Sequence, residues 1–199
     1  GNQALSNSHC GVELWFENQR YTRLDLTEFL DPPRKYAGRY GGCRSKRRGD
    51  DQGAEFDDWH VVVYFPHEDY LQQQRLDFAE HLTSRIKELS TRGRLWISTD
   101  WNGRGGIEQR GNMTSFPDTW GPLRPEQFTP NGEILLEFAW ALGLKIINTF
   151  VGSGPTYYPH EEVISEQSGV RIDYALSTHK ASKDVIQFRT DPILGKSLQ

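Results

Sequence analysis

The segment His60–Phe65, HVVVYF, constrains the fold of this chain more than any other. Its β-branched and aromatic residues run without polar alternation, as in a strand covered on both faces. Pro66 ends the strand, and Leu71, Phe78, Leu82, Ile86 and Leu89 then recur at helical spacing through a polar background that closes at Gly93. A second buried strand, Arg94–Thr99, follows at once. Strand, amphipathic helix and strand in succession predict a sheet covered by helices, the α/β class.

The rest of the chain extends this pattern. Thr129 and Pro130 fit an N-cap and first helical residue, followed by Ile134, Leu135, Phe138, Ala139 and Leu142 on one face and Gly143 as the stop. Leu144–Phe150 and Arg171–Ser177 read as strands, Val185–Arg189 as a weaker one, and Gly11–Phe16 with Arg20–Leu24 as a hairpin near the start. Asp31–Asp58 sets a basic run, Arg44, Lys46, Arg47 and Arg48, beside an acidic one, Asp50, Asp51, Glu55, Asp57 and Asp58. It predicts a polar insertion at about 31–58, a solvated surface loop whose charges partly neutralise one another. Gly103–Phe128 has no periodicity and many Gly, Pro and Asn residues, the character of a long functional loop.

Length and charge narrow the function. A chain of 199 residues is the size of one domain, since domains run to roughly 100–200 residues. The net charge of -4 argues against broad capture of a phosphate backbone, so any contact with nucleic acid is local. Cys10 and Cys43 fit neither a disulfide framework nor a zinc site and read as free thiols. No apolar run approaches the roughly 18 residues of a membrane span, and Gly1–Ser8 lacks the order of a signal peptide. The chain is expected to be soluble. Because it begins at Gly1 and Met113 is its one methionine, it is expected to be a piece of a longer polypeptide.

Chemistry concentrates in LWISTDWNGRGG, Leu95–Gly106, where a buried strand delivers Asp100 and Asn102 to the mouth of the long loop. Phosphodiester hydrolysis needs a carboxylate to polarise the attacking water and an amide to hold a phosphoryl oxygen as charge develops. Asp-x-Asn at a strand end is, taken alone, more often a turn. The ordered words VVVYFP, TDWN, NGEILLEF, GLKIINTF and RIDYALS give it context. Over Gly11–Ser177 they resemble the endonuclease/exonuclease/phosphatase superfamily, and NGEILLEF with GLKIINTF is similar to the apurinic-type endonuclease domains of non-LTR retrotransposons.

The resemblance implies an α/β sandwich of two mixed sheets flanked by helices, here truncated at both ends, so that 1–199 is a single incomplete domain. It implies that Tyr64 is an active-site tyrosine beside the scissile phosphate and that Asp100 and Asn102 are the family's Asp-x-Asn. Asp173 matches the aspartate that supports a catalytic histidine, and Thr156 a threonine near the DNA backbone. Two parts of the family site have no counterpart. None of the ten residues before Gly11 is acidic, so the principal Mg²⁺-binding glutamate is missing, and no histidine follows His179. His9, His60, His67, His81 and His160 read as surface or structural.

Two functions follow. One is a catalytically inactive, retrotransposon-derived accessory or structural subunit, a pseudoenzyme without cofactor whose protein partner covers open sheet edges beside strands such as HVVVYF and RLWIST. The other is a Mg²⁺-dependent phosphodiesterase that cleaves DNA when further segments complete the site.

Overall fold

The structure is a computed structural model that describes residues 26–48, 55–105, 118–123, 128–152, 154–157, 170–183 and 185. The expected hairpin of Gly11–Phe16 and Arg20–Leu24, Cys10, most of the long loop and nearly all of Val185–Arg189 lie outside them.

Six strands form one mixed sheet: β1 (Leu26–Leu30), β2 (Tyr40–Arg48), β3 (Glu55–Tyr64), β4 (Arg94–Asp100), β5 (Leu144–Ile146) and β6 (Asp173–Thr178). Their order across the sheet is β1-β2-β3-β4-β6-β5. The β3–β4 pair is parallel and the others are antiparallel. Parallel neighbours need a crossover, and helix α1 (Gln72–Arg92) supplies it. Helix α2 (Pro130–Ala141) precedes β5, and a short α3 (His179–Ser182) follows β6. This is a mixed α/β fold of the expected class, and a second sheet is not among the described residues. Among the described residues, no helix is long and apolar enough to cross a membrane.

The core grows from alternate positions of the central strands. Val61, Val63 and Phe65 from β3 and its exit join Leu95 and Ile97 of β4 and Leu176 of β6. They form one cluster with Phe78, Leu82, Ile86 and Leu89 of α1 and Leu135, Phe138 and Ala139 of α2. Each large apolar side chain so buried contributes roughly 1.5–3 kcal/mol. The intervening Val62 and Tyr64 are half-buried and Ser98 is exposed, so HVVVYF is covered less completely on its second face than its composition predicts. Leu71 also departs from expectation. It caps α1 at 71% exposure instead of joining the apolar stripe that begins at Phe78.

Much of the described part of the polar segment 31–58 is strand, Tyr40–Arg48 on β2 and Glu55–Asp58 at the start of β3. Arg44 and Lys46 of the basic run lie on β2 and Asp57 and Asp58 of the acidic run on β3, with Lys46 opposite Asp57 in the antiparallel register. Arg44 forks onto Asp57, with Nε donating to Oδ1 at 2.6 Å, and also pairs with Glu28 on β1. Charges that suggest a solvated loop are here, at Arg44 and Asp57, a cross-strand pair.

HVVVYF and RLWIST do not flank open edges either. β3 pairs with β2 and β4, and β4 with β3 and β6, which leaves β1 and β5 as the edges of the described sheet. GLKIINTF is strand only to Ile146, after which Ile147–Thr149 turns as a 3-10 helix with the Thr149 hydroxyl donating to the Ile146 carbonyl at 2.6 Å.

Candidate active site

The carboxyl ends of β3 and β4 and the start of β6 lie side by side. In register, Tyr64 stands opposite Asp100, and Asp100 opposite Asp173. Directly paired residues project to the same face of a sheet. Neighbouring strands are about 4.8 Å apart, so three expected site residues form one row with two carboxylates adjacent. Burial, and next the charge of Asp173, push the Asp100 carboxyl up to about 6. The Asn102 amide, donating to Asp100 Oδ1 at 3.0 Å, and the His67 ring oppose that rise. Burial raises Asp173 as well, against a hydrogen bond from Thr156.

Asn102 completes the row through the backbone. Its φ of 50° is the one positive φ outside glycine among the described residues, in a region that asparagine tolerates better than most. The turn aims its side chain back at β3, where Nδ2 donates to the Phe65 carbonyl at 2.8 Å. The Phe65 amide in turn donates to the Asp100 carbonyl at 2.8 Å, so the exits of β3 and β4 are tied in both directions. Asn102 is thus a turn residue and a neighbour of the carboxylate pair together.

Thr156 reaches the row from the far side. Its hydroxyl accepts from the Ile172 and Asp173 amides, both at 3.1 Å, and so fixes the start of β6. Fully buried Asn148 holds the same strand, donating to the Asp173 carbonyl at 3.0 Å and accepting from the Ala175 amide at 3.3 Å. Tyr174, whose phenol burial pushes up to about 12, accepts from the Gly105 amide at 2.9 Å and anchors the loop after β4. Arg39 lies behind Tyr64. Its guanidinium sits 5.0 Å from the Tyr64 ring centre and 5.2 Å from that of Tyr70, and Nη2 donates to the Tyr70 hydroxyl at 2.9 Å.

The histidines divide. His60 meets the Ser45 hydroxyl at 3.0 Å and His81 the Tyr40 hydroxyl at 2.9 Å, both inside the fold as structural groups. His67 is exposed, with Nδ1 3.0 Å from Asp69 Oδ2, in keeping with the surface reading. Cys43 is a free, buried thiol, as its spacing predicts.

The carboxylate pair suits a shared cation in part. Asp100 and Asp173 repel one another, and a bound Mg²⁺ would relieve that repulsion. Among the described residues, no cluster of three or more His, Cys, Asp or Glu side chains completes a metal site.

The sheet and the helices on it define a class: the chain has the fold of the exonuclease and AP endonuclease type. It is similar to the 3'-5' exonuclease NExo from Neisseria meningitidis, with a TM-score of 0.59 at 16% identity over 87% of this chain and 66% of that one. It is similar also to a Neisseria 3' phosphatase NExo bound to a product DNA hairpin, at 0.54 and 13% over 79% and 60%. The AP endonuclease LMAP from Leishmania major gives 0.51 and 14% over 76% and 49%. The chain therefore spans about half to two thirds of these structures. No protein-family model and no curated protein matches the sequence.

Three residues of this region escaped the sequence reading as individuals. Asn131 and Asn148 stand in the words NGEILLEF and GLKIINTF, and inside those words nothing singles them out. Arg39 carries no signal either, because its place behind Tyr64 depends on the β2–β3 pairing.

Proposed function

We propose that this chain is a phosphodiesterase domain of the retrotransposon-endonuclease type, acting on a nucleic-acid backbone. The row Tyr64–Asp100–Asp173, with Asn102 folded back beside it, is the observation that carries this reading. The words NGEILLEF and GLKIINTF support the retrotransposon kinship.

Asp100, with a carboxyl near 6, is largely ionised at neutral pH and can accept a hydrogen bond from the attacking water and orient it. Asn102 keeps one amide hydrogen beyond its bond to Phe65, which can hold a non-bridging phosphoryl oxygen. The Tyr64 hydroxyl steadies the same group from the neighbouring strand. Mg²⁺, held by Asp100 and Asp173 together with ligands from outside the described residues, would neutralise phosphate charge.

A second reading rests on a different observation. The Asn102 side chain and the Thr156 hydroxyl both hold backbone, so these residues have reason to persist without catalysis. In that case the domain is an inactive accessory subunit, with a protein partner across the β1 and β5 edges.

The full-length protein, purified and given Mg²⁺ and supercoiled or abasic DNA, separates the two. Cleavage that falls about 100-fold or more in Asp100→Ala supports the phosphodiesterase. No cleavage by the wild type, at any Mg²⁺ concentration, favours the accessory subunit.

A further inference from the structure

The word NGEILLEF contributes Asn131, and no chemistry above uses it. Asn131 is fully buried at the start of α2. Its Nδ2 donates to the Asn102 carbonyl at 2.9 Å and the Pro66 carbonyl at 3.0 Å, with the Trp101 carbonyl at 3.5 Å. Its Oδ1 accepts from Arg75 Nη1 of α1 at 2.6 Å. The Asn131 backbone carbonyl accepts from the Trp101 indole at 2.8 Å, and its amide donates to Glu68 Oε1 at 3.3 Å. Pro66 is two residues beyond Tyr64 and Asn102 two beyond Asp100, so one side chain grips both strand exits of the row.

The packing leaves no slack. A Cβ added at Gly103 would lie 2.4 Å from the Asn131 Cβ, and one at Gly132 would lie 2.0 Å from the Arg104 carbonyl oxygen. The N-cap adds two more ties, Arg104 amide to the Thr129 hydroxyl and Thr129 amide to the Arg104 carbonyl, both at 3.0 Å. Asparagine suits the position chemically. It offers two N–H groups to converging carbonyls and a carbonyl to the arginine, whereas an ionised aspartate offers acceptors only and leucine neither.

We propose that Asn131 is a positioning residue of the site: by clamping the Pro66 and Asn102 carbonyls it sets the turn that holds Asn102 beside Asp100. This role rests on the row being the functional site, but its test needs no turnover. In ¹³C,¹⁵N-labelled wild-type protein, couplings across hydrogen bonds should link the Asn131 side-chain amide to the Pro66 and Asn102 carbonyls. In folded Asn131→Asp, the backbone and side-chain amide signals of Asn102 should move by more than a linewidth while those of Asn148 stay in place. Arg75→Met, which removes the tie to α1 alone, should lower the melting temperature and leave the Asn102 signals unmoved. Asn102 signals that stay put in Asn131→Asp, or that move equally in Arg75→Met, would overturn the proposal, as would absent couplings in the wild type should Asn131→Asp fail to fold. Moved Asn102 signals in a chain that cleaves nothing would keep the positioning role and sink only the catalytic reading.

Discussion

The two ends of the central strands treat their carboxylates in opposite ways. At the starting end, Asp58 meets Arg94 Nε at 2.7 Å, and Asp57 is forked by Arg44, whose hydrogen bonds hold the Asp57 carboxyl below its usual range. At the exit end, Asp100 and Asp173 face each other, and both are pushed up, by burial first. The same sheet and the same residue type thus give a stabilising pair at one end and a mutually repelling one at the other. Groups optimised for stability are matched with opposite charge, whereas carboxylates buried side by side are characteristic of sites where protons or cations are handled.

The contrast predicts opposite signs for mutations. Arg94→Met should destabilise the fold by about 3–5 kcal/mol, because it strands the Asp58 carboxylate, itself 7% exposed, without its cation. Urea unfolding at pH 7 measures this, and an unchanged midpoint would mean that Asp58 finds water instead.

Asp100→Asn should do the reverse. Its carboxyl rises from 3.8 to about 6 on folding, which at about 1.36 kcal/mol per unit is worth up to about 3 kcal/mol. Between those two values the folded state binds more protons than the unfolded one, so this carboxyl costs stability progressively as pH rises from about 4 to about 6, and fully above it. Asn102 still finds an acceptor in the amide oxygen. The variant should therefore be more stable than wild type at pH 7 by on the order of 2–3 kcal/mol and equal to it near pH 3, as denaturation across that range would show, while losing any cleavage activity.

The same contrast explains what could be read from residues alone. HVVVYF, the α1 stripe from Phe78 to Leu89 and the Thr129–Pro130 helix start were legible because burial and capping are local patterns, and each has its element. The charge pairing between β2 and β3 was not. Arg44 and Asp57 are thirteen residues apart, and only the β2–β3 register turns two charge blocks into pairs. Asp100 and Asn102 were legible both as a motif and as a turn, and the structure shows the turn. Arg39 and Asn131 escaped because each acts through contacts distant in sequence, Arg39 on Tyr64 and Tyr70, and Asn131 on Pro66 and Arg75.

The exit row is tested most directly by following the Asp100 carboxyl through a pH titration by ¹³C NMR, in the wild type and in Asp173→Asn. The wild-type carboxyl should titrate at about 6, and removing the neighbouring charge should bring the midpoint down toward the ordinary range. A wild-type midpoint in the usual carboxylate range, unmoved by Asp173→Asn, would mean that the two aspartates do not share a site and would contradict the assignment of this row as the functional centre.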